Sequence, residues 1–411
     1  MSIKLKGSTA GSAVILAAPA DTSPTGTEKT FTLPTQDGTA GQVLTTDGNA
    51  NLSFATDSDT ILESNRNLII NGAQQVDQRF SGSTAIGTLT NGKYITDRWN
   101  VRGQDNTTGQ ASQSTNAPAG FVNSLLIEVG GTAGATSAGG NRFIRQNIEG
   151  YVLRPLRWGT AGAKAATMSF WIRSSVTGTY SFAFFSGALN QHYATSYTIN
   201  TANTWEYKTI TVPGPTSGTF YTENQLALYC QWDLGSGSNF ATSTLNQWAS
   251  GDKRFASGSV DFFNNANANL RITGVQFEAG ETATQFEHRS FADELHTCKR
   301  YYEHSHSYYE QNWKTKDWSY ADGVVVMANS NGYSDFHPRF KVEKRANPSI
   351  TIYSATGIAG NAAWEHAGVQ NDTNYTGNQA PSAITTKQFL VRGQVGANRY
   401  LYCNWEALAE L

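Results

Sequence analysis

Residues 269–303, NLRITGVQFEAGETATQFEHRSFADELHTCKRYYE, contain the change of hydrophobic period on which the reading of the whole chain turns. From Leu270 to Phe277 apolar and polar residues alternate, as in a half-buried strand. Gly280 and the Thr/Ala run behind it end that alternation. Ser290-Phe291-Ala292-Asp293 then matches the S/T-x-x-D/E capping pattern, which predicts a helix start. Phe291, Leu295, Cys298 and Tyr302 fall on one face of that helix at i, i+4, i+7 and i+11. Asp293 and Glu294 occupy its first turn and Lys299 and Arg300 its last, as the helix dipole favours. This predicts a large β domain before the helix and a smaller one after it, with these four residues at the joint.

Composition supports an all-β chain. Charged residues make up 15% of the 411 residues and aromatics 12%, with 39 glycines among abundant Ser, Thr and Asn. This favours short strands and polar turns over helices. The net charge of −2 offers nothing that would draw nucleic acid or an anionic membrane. No apolar run is long enough to span a bilayer as a helix. Residues 13–20 (AVILAAPA), preceded by Lys4 and Lys6, have some features of a signal-peptide core, but the run is short and reads better as strand and turn. Cys230, Cys298 and Cys403 are odd in number and far apart, which predicts buried reduced thiols and no disulfide scaffold. No Cys/His spacing matches a zinc site, so neither metal nor cofactor is expected.

Residues 1–60 contain short strand-like pieces (IKLKGS, AVILAAP, KTFTLPT, GQVLTTD, NLSFA) separated by turns. So small a β module buries too little to be stable alone and needs cover from other copies or from a partner. A polar linker follows, then NLIINGAQQVDQRF (67–80), read as a buried strand and a turn, and a second strand ending at Trp99. Asp97 and Arg98 are expected to be structural. From residue 121 to 277 roughly nine or ten strands, including VDFFNN, predict a two-sheet sandwich over 61–290. Residues 291–411 form a third region with further strands, SDFHPRFKVEKR among them. Its long Gly/Asn-rich loop, 357–381, is a candidate for function.

Several of these stretches resemble bacteriophage fibre and tail proteins. The resemblance runs through Phe286-Glu287-His288-Arg289, Cys298 and Arg300-Tyr301-Tyr302, and through the 67–80 and 94–99 segments. It continues in LPTQDGTAGQVLTTDGNANLSFA near the N-terminus and in KRANPSITIY (344–353). TMSFWIR (167–173) before GTY (178–180), and TWE (204–206) before TITVP (209–213), resemble carbohydrate-binding-module jelly rolls. The resemblance implies a virion tail fibre carrying a jelly-roll β-sandwich and assembled in the host cytoplasm. It also implies a homotrimer, coaxial or intertwined, with the helix near the three-fold axis. In that reading residues 1–60 attach to a tail or capsid protein, and the distal β domains bind host surface polysaccharide. A capsid fibre or decoration protein, and a polysaccharide depolymerase, are the alternatives.

Sugar recognition requires flat aromatic faces flanked by paired hydrogen-bonding groups. The residues that fit are Tyr308, Tyr309, Trp313 and Trp318 at the start of the last region, and Trp364, His366, Asn371 and Tyr375 in its long loop. Trp232 and Trp248 form a second group. For hydrolysis the carboxylates to consider are Glu206, Asp233, Asp261, Glu278 and Glu281. None sits in a recognisable catalytic motif, so no catalytic residue is assigned and no enzymatic activity is expected. His304 and His306 alternate as a metal-binding pair on a strand would, although the resemblance places them on a polar edge just past the helix, which is the better explanation.

Overall fold

The structure is a computed structural model. It describes residues 3–6, 13–16, 32, 34–35, 42–46, 51–56, 65–80, 86–87, 89–105, 108–308, 312–315, 324–354, 357, 359–360, 362–366, 369–371, 381–394 and 399–411. The chain divides into two compact units, Met1–Ser64 and Asn65–Leu411. The first contains two antiparallel hairpins, Ile3–Lys6 with Ala13–Leu16 and Gln42–Thr46 with Leu52–Thr56.

The second unit is nearly all β and is built on a jelly-roll sandwich. One sheet has seven strands in the spatial order Trp248–Ser250, Gln191–Ile199, Gly178–Ser186, Leu226–Asp233, Arg142–Glu149, Trp99–Gly103 and Lys93–Tyr94. The facing sheet has six, in the order Glu206–Val212, Ala166–Ser174, Asn269–Ala279, Ser124–Glu128, Gln110–Ser114 and Ile86–Gly87. Alternation determines which side chains enter the space between them. Met168, Phe170 and Ile172 from one sheet meet Phe182, Phe184, Cys230 and Trp232 from the other in a single apolar core.

The strand Asn269–Ala279 carries a bulge at which Gly274 and Val275 together oppose Phe170. Gly274 takes φ +60°, and a Cβ there would lie 2.6 Å from the Phe121 ring and 3.0 Å from Trp171. The bulge frees the Val275 N–H and carbonyl from the ladder, and the 67–80 segment uses both. Val275 donates to the Gly72 carbonyl at 3.0 Å, and Asn67 Nδ2 donates to the Val275 carbonyl at 3.1 Å. That segment is therefore not the strand expected from its apolar run. Asn67 and Asn71 satisfy its backbone through their side chains: Asn67 Oδ1 accepts from Ile69 and Phe277, and Asn71 Oδ1 from Val76. VDFFNN is likewise a 3₁₀ turn, Phe262–Asn264, which plugs both phenylalanines into the core. Trp99 begins a strand where it was expected to end one.

The predicted helix is present at Phe291–Lys299, with the Ser290 side chain accepting from Asp293 N–H. Such a cap is worth about 1 kcal/mol. Phe291, Leu295, Cys298 and Tyr301 pack on Ile70, Val76, Tyr308 and Leu411 of the same chain. Tyr302 lies beyond the helix in the strand Tyr302–His304, so Tyr301 takes the place expected for it. Asp97 and Arg98 do not pair with each other. Asp97 pairs with Arg79 at 3.3 Å, and Arg98 pairs with Glu410 beneath the Tyr301 ring.

After the helix, an antiparallel sheet is arranged around the long strand Tyr400–Leu408. Tyr302–His304 and Ser349–Tyr353 pair with its second half, and Val324–Met327 and Ala363–His366 with its first. Of SDFHPRFKVEKR only the start lies in a strand, Tyr333–Phe336. The remainder is an irregular segment that buries Lys344. The stretch expected to be a loop contains a hairpin, Ala363–His366 with Val369–Asn371.

Candidate functional site

The aromatic residues singled out in the sequence do not form one site. Trp313 is 3% exposed, its ring stacked on His304 with centroids 4.6 Å apart and planes within 5°. Neither ring is a free platform. Tyr308 packs edge-on against Phe291 at 4.8 Å, and its hydroxyl accepts from Asp77 N–H and donates to the Gln75 carbonyl. It holds the helix to the jelly roll. Trp232 lies at the centre of the sandwich core, in ring contact with Trp99, Phe170 and Phe182. Trp364 and His366 sit on a strand, with Trp364 opposite Asn371 in register; for these three the backbone placement alone is described. Tyr309, Trp318 and Tyr375 lie outside the described residues.

A row of rings that the sequence reading passed over lies on the outer face of the six-stranded sheet. In TMSFWIRSS, Phe170 and Ile172 point inward, so the strand period turns Trp171 outward. Its register partner is Tyr207, which is 44% exposed, and the two ring centroids are 5.3 Å apart. Phe121 approaches Trp171 over Gly274, where the absence of a side chain lets the two rings draw together. Phe286 and His288 continue the row at 5.0 and 5.4 Å from Phe121. Trp205, two residues before Tyr207, donates its Nε1 to Asn116 Oδ1 at 3.3 Å. The usable signal was a tryptophan at an outward position of an otherwise clean alternation.

The row is flanked by polar groups. Arg173 and Arg271 are register partners on neighbouring strands. Arg173 Nε donates to the Asn203 carbonyl at 2.8 Å, and Arg271 Nη1 to Asn269 Oδ1 at 2.9 Å. Burial, and then the like charge of Arg173, hold the Arg271 guanidinium below its ordinary pKa. Two cations placed opposite each other on a sheet destabilise it unless something else compensates.

A cleft of about 260 Å³ opens at one end of the sandwich, lined by Arg154, Arg157, Trp158, Phe220, Tyr221 and Thr222, among others. Trp158 and Phe220 form its floor, and Trp248, the second of the paired candidates, packs edge-on beneath both. Arg154 donates twice to the Thr222 carbonyl, which fixes one wall.

The candidate carboxylates brace turns. Asp233 is 1% exposed and accepts from Gly235 and Ser236 N–H; burial raises it to about 7. Glu206 binds the Asn200 and Thr201 N–H groups and Lys208, which outweigh its burial and bring it to about 2. Glu278 holds Thr284, Asp261 pairs with Arg142, and Glu281 is exposed. His306 Nε2 lies 2.7 Å from Asn404 Oδ1, and no metal-binding group of three or more ligands occurs among the described residues. All three cysteines are buried free thiols.

No protein-family model and no curated protein matches this sequence. Among solved structures it is similar to the enzymatically active domain of tailspike protein 4 from bacteriophage CBA120. The identity is 11% and the TM-score 0.28, with 52% of this chain and 22% of the tailspike chain covered. A putative sugar-binding protein from Bacteroides thetaiotaomicron matches at 10% identity and a TM-score of 0.31, covering 52% of this chain and all of that one. A xylan-binding domain of the CBM22 class from Paenibacillus barcinonensis matches at 11% identity and a TM-score of 0.22, covering 50% and 99%.

Proposed function

We propose that the protein is a non-enzymatic bacteriophage tail fibre that binds a host surface glycan through the outer face of its jelly roll. The observation that carries this reading is the row Tyr207, Trp171, Phe121, with Phe286 and His288 beyond it. Trp171 and Tyr207 stand on the sheet and the other three rings on irregular segments beside it; together they offer the aromatic faces that pyranose C–H groups require, with guanidinium groups alongside to meet hydroxyls. The phage setting rests on the sequence resemblance across the joint and in the segments before it. Attachment to the particle through residues 1–60 follows from the same resemblance. Weak single contacts would be multiplied by the several copies on one particle.

A glycan array probed with the full chain tests this. Trp171→Ala should weaken any array hit several-fold, up to about tenfold, since one lost aromatic contact of about 0.5–1.5 kcal/mol has that effect. A hit that Trp171→Ala leaves unchanged sinks the site; an array without hits sinks the function.

The same row also favours a second reading, a capsid or tail structural protein whose exposed apolar face is covered by a neighbouring virion protein. Gold-labelled antibody against residues 291–411 on intact particles, read beside the array, separates the two. Label at the tail with array hits supports the fibre; label spread over the head without hits supports the structural protein.

A further inference from the structure

The opposite face of the sandwich carries a half-buried cation with no carboxylate among the described residues in ion-pair contact. On the strand Arg142–Glu149, Ile144 and Ile148 enter the core, so Phe143, Arg145 and Asn147 point outward. Arg145 is the register partner of Gln231, and Asn147 of Tyr229, which in turn pairs with Phe185. The Arg145 guanidinium lies 3.9 Å from the Phe143 ring centroid and 4.7 Å from that of Tyr229. Its Nε and Nη2 both donate to Gln231 Oε1, at 3.1 and 2.6 Å. Among the described residues no carboxylate comes within ion-pair distance of it.

The neighbouring charges do not supply the missing partner. Arg254 approaches from the 236–258 arm, but Asp252 clamps it with two contacts of 2.8 and 2.6 Å, so that pair is neutral and already engaged. Asn147 Nδ2 is turned away to the terminal main-chain oxygen of Leu411, which Tyr94 also binds and which makes no ion pair with Arg145. Burial, with Arg254 next, lowers the Arg145 guanidinium to about 9. An isolated cation in such a place is expensive.

A second observation concerns Gln231. It is fully buried, and because Arg145 takes its oxygen, the orientation of the amide is determined. Its Nε2, in the same amide, has no acceptor, and Asn147 Oδ1 on the same face has no partner. A buried donor left unmatched costs about 1–3 kcal/mol. The floor of this face thus presents a guanidinium with no carboxylate in contact and a buried amide N–H with no acceptor, beside the half-buried Tyr229 ring.

We propose that this is a second, separate subsite that accepts the carboxylate of an acidic sugar residue. One uncompensated guanidinium matches one negative charge, which suits a uronic-acid carboxylate better than a phosphate dianion. Arg145 would hold the carboxylate by its free Nη edge and Gln231 Nε2 would complete the contact. That the ligand is a sugar rests on the glycan-binding reading above; that it is anionic does not.

Calorimetry with the full chain, using methyl glucuronide, methyl glucoside and inorganic phosphate as separate titrants, tests the proposal. The glucuronide should bind at least tenfold tighter than the glucoside, and the advantage should shrink as salt is raised. Arg145→Gln should abolish the advantage. Arg145→Lys keeps the charge but loses the fork, and should reduce the advantage while the melting transition stays cooperative; this variant decides the matter if Arg145→Gln does not fold. Equal binding of the two sugars, phosphate binding as tightly as the glucuronide, or an advantage unchanged in a folded Arg145 variant would each overturn it. Array hits that depend on Trp171 would survive that failure, so the two readings can fall separately.

Discussion

His304 shows how one buried side chain sets a response to acid. It is 2% exposed and stacked on Trp313, and burial, then the neighbouring His306, press its imidazole down to about 3. A histidine depressed below its unfolded value of about 6.5 contributes stability that is complete above pH 6.5 and is lost as pH falls toward 3. The loss at the acid end is on the order of 4 kcal/mol. Asp97 and Asp233, both raised to about 7 chiefly by burial, work in the other direction and lose their contribution as pH rises through that value. The informative measurement is therefore a difference. His304→Gln should be less stable than the parent at pH 7.5, and the gap should narrow steadily from pH 6.5 to pH 4 in urea denaturation. A gap constant across that range would mean that His304 is not the titrating group. In the sequence His304 and His306 read as an alternating pair, with a polar edge as the other explanation. What no pattern revealed was Trp313, nine residues on, folding back to cover the first ring.

At the scale of elements, regular pieces were legible and irregular ones were not. Alternation located the long strands of the sandwich, and the Ser290 cap marked the helix start to the residue. NLIING failed because its apolar run serves a segment whose hydrogen bonds come from Asn67 and Asn71 side chains, and side-chain bonding leaves no period. Trp171 was illegible for a different reason: it is a half-buried ring on a strand, and in sequence such a ring reads as core. SDFHPRFKVEKR failed at Lys344, whose burial depends on a partner 41 positions away. Lys344 Nζ and Glu303 Oε2 lie 2.6 Å apart, both fully buried. Lys344 also donates to the Lys299 and Val342 carbonyls, and Glu303 Oε1 accepts from Lys341 N–H. Removing one member leaves the other charged and enclosed, so Lys344→Met should cost about 3–5 kcal/mol. Lys344→Met with Glu303→Leu should recover most of that loss, because the replaced pair gave back much of its attraction in desolvation. Chemical denaturation of the three variants checks it; a double variant no better than the single one would show that the pair's hydrogen bonds outweigh its desolvation.

At the scale of the whole molecule, self-association is a proposal from the sequence resemblance, and the structure bears on where copies would meet. The helix expected near a three-fold axis spends its apolar face within its own chain, on Ile70, Val76, Tyr308 and Leu411. An axis there rests on the sequence resemblance and not on that apolar face. The 1–64 unit has the opposite character: Leu44 and Phe54, cross-strand partners in its second hairpin, are 50% and 36% exposed. Two-stranded hairpins are marginal in water, and apolar pairs on them need cover. If other copies supply that cover, Leu44→Asp with Phe54→Asp should convert a sedimenting trimer into a monomer. All ten tryptophans lie beyond residue 64, so fluorescence reports on the 65–411 unit alone. Its melting curve should therefore be unmoved by the same two substitutions, which separates loss of association from general unfolding. A variant that still sediments as a trimer would return the interface to the second unit, where the ring row around Trp171 is one apolar feature on an outer face. Glycan binding and self-association would then compete for one surface, and the Trp171→Ala variant would weaken both together.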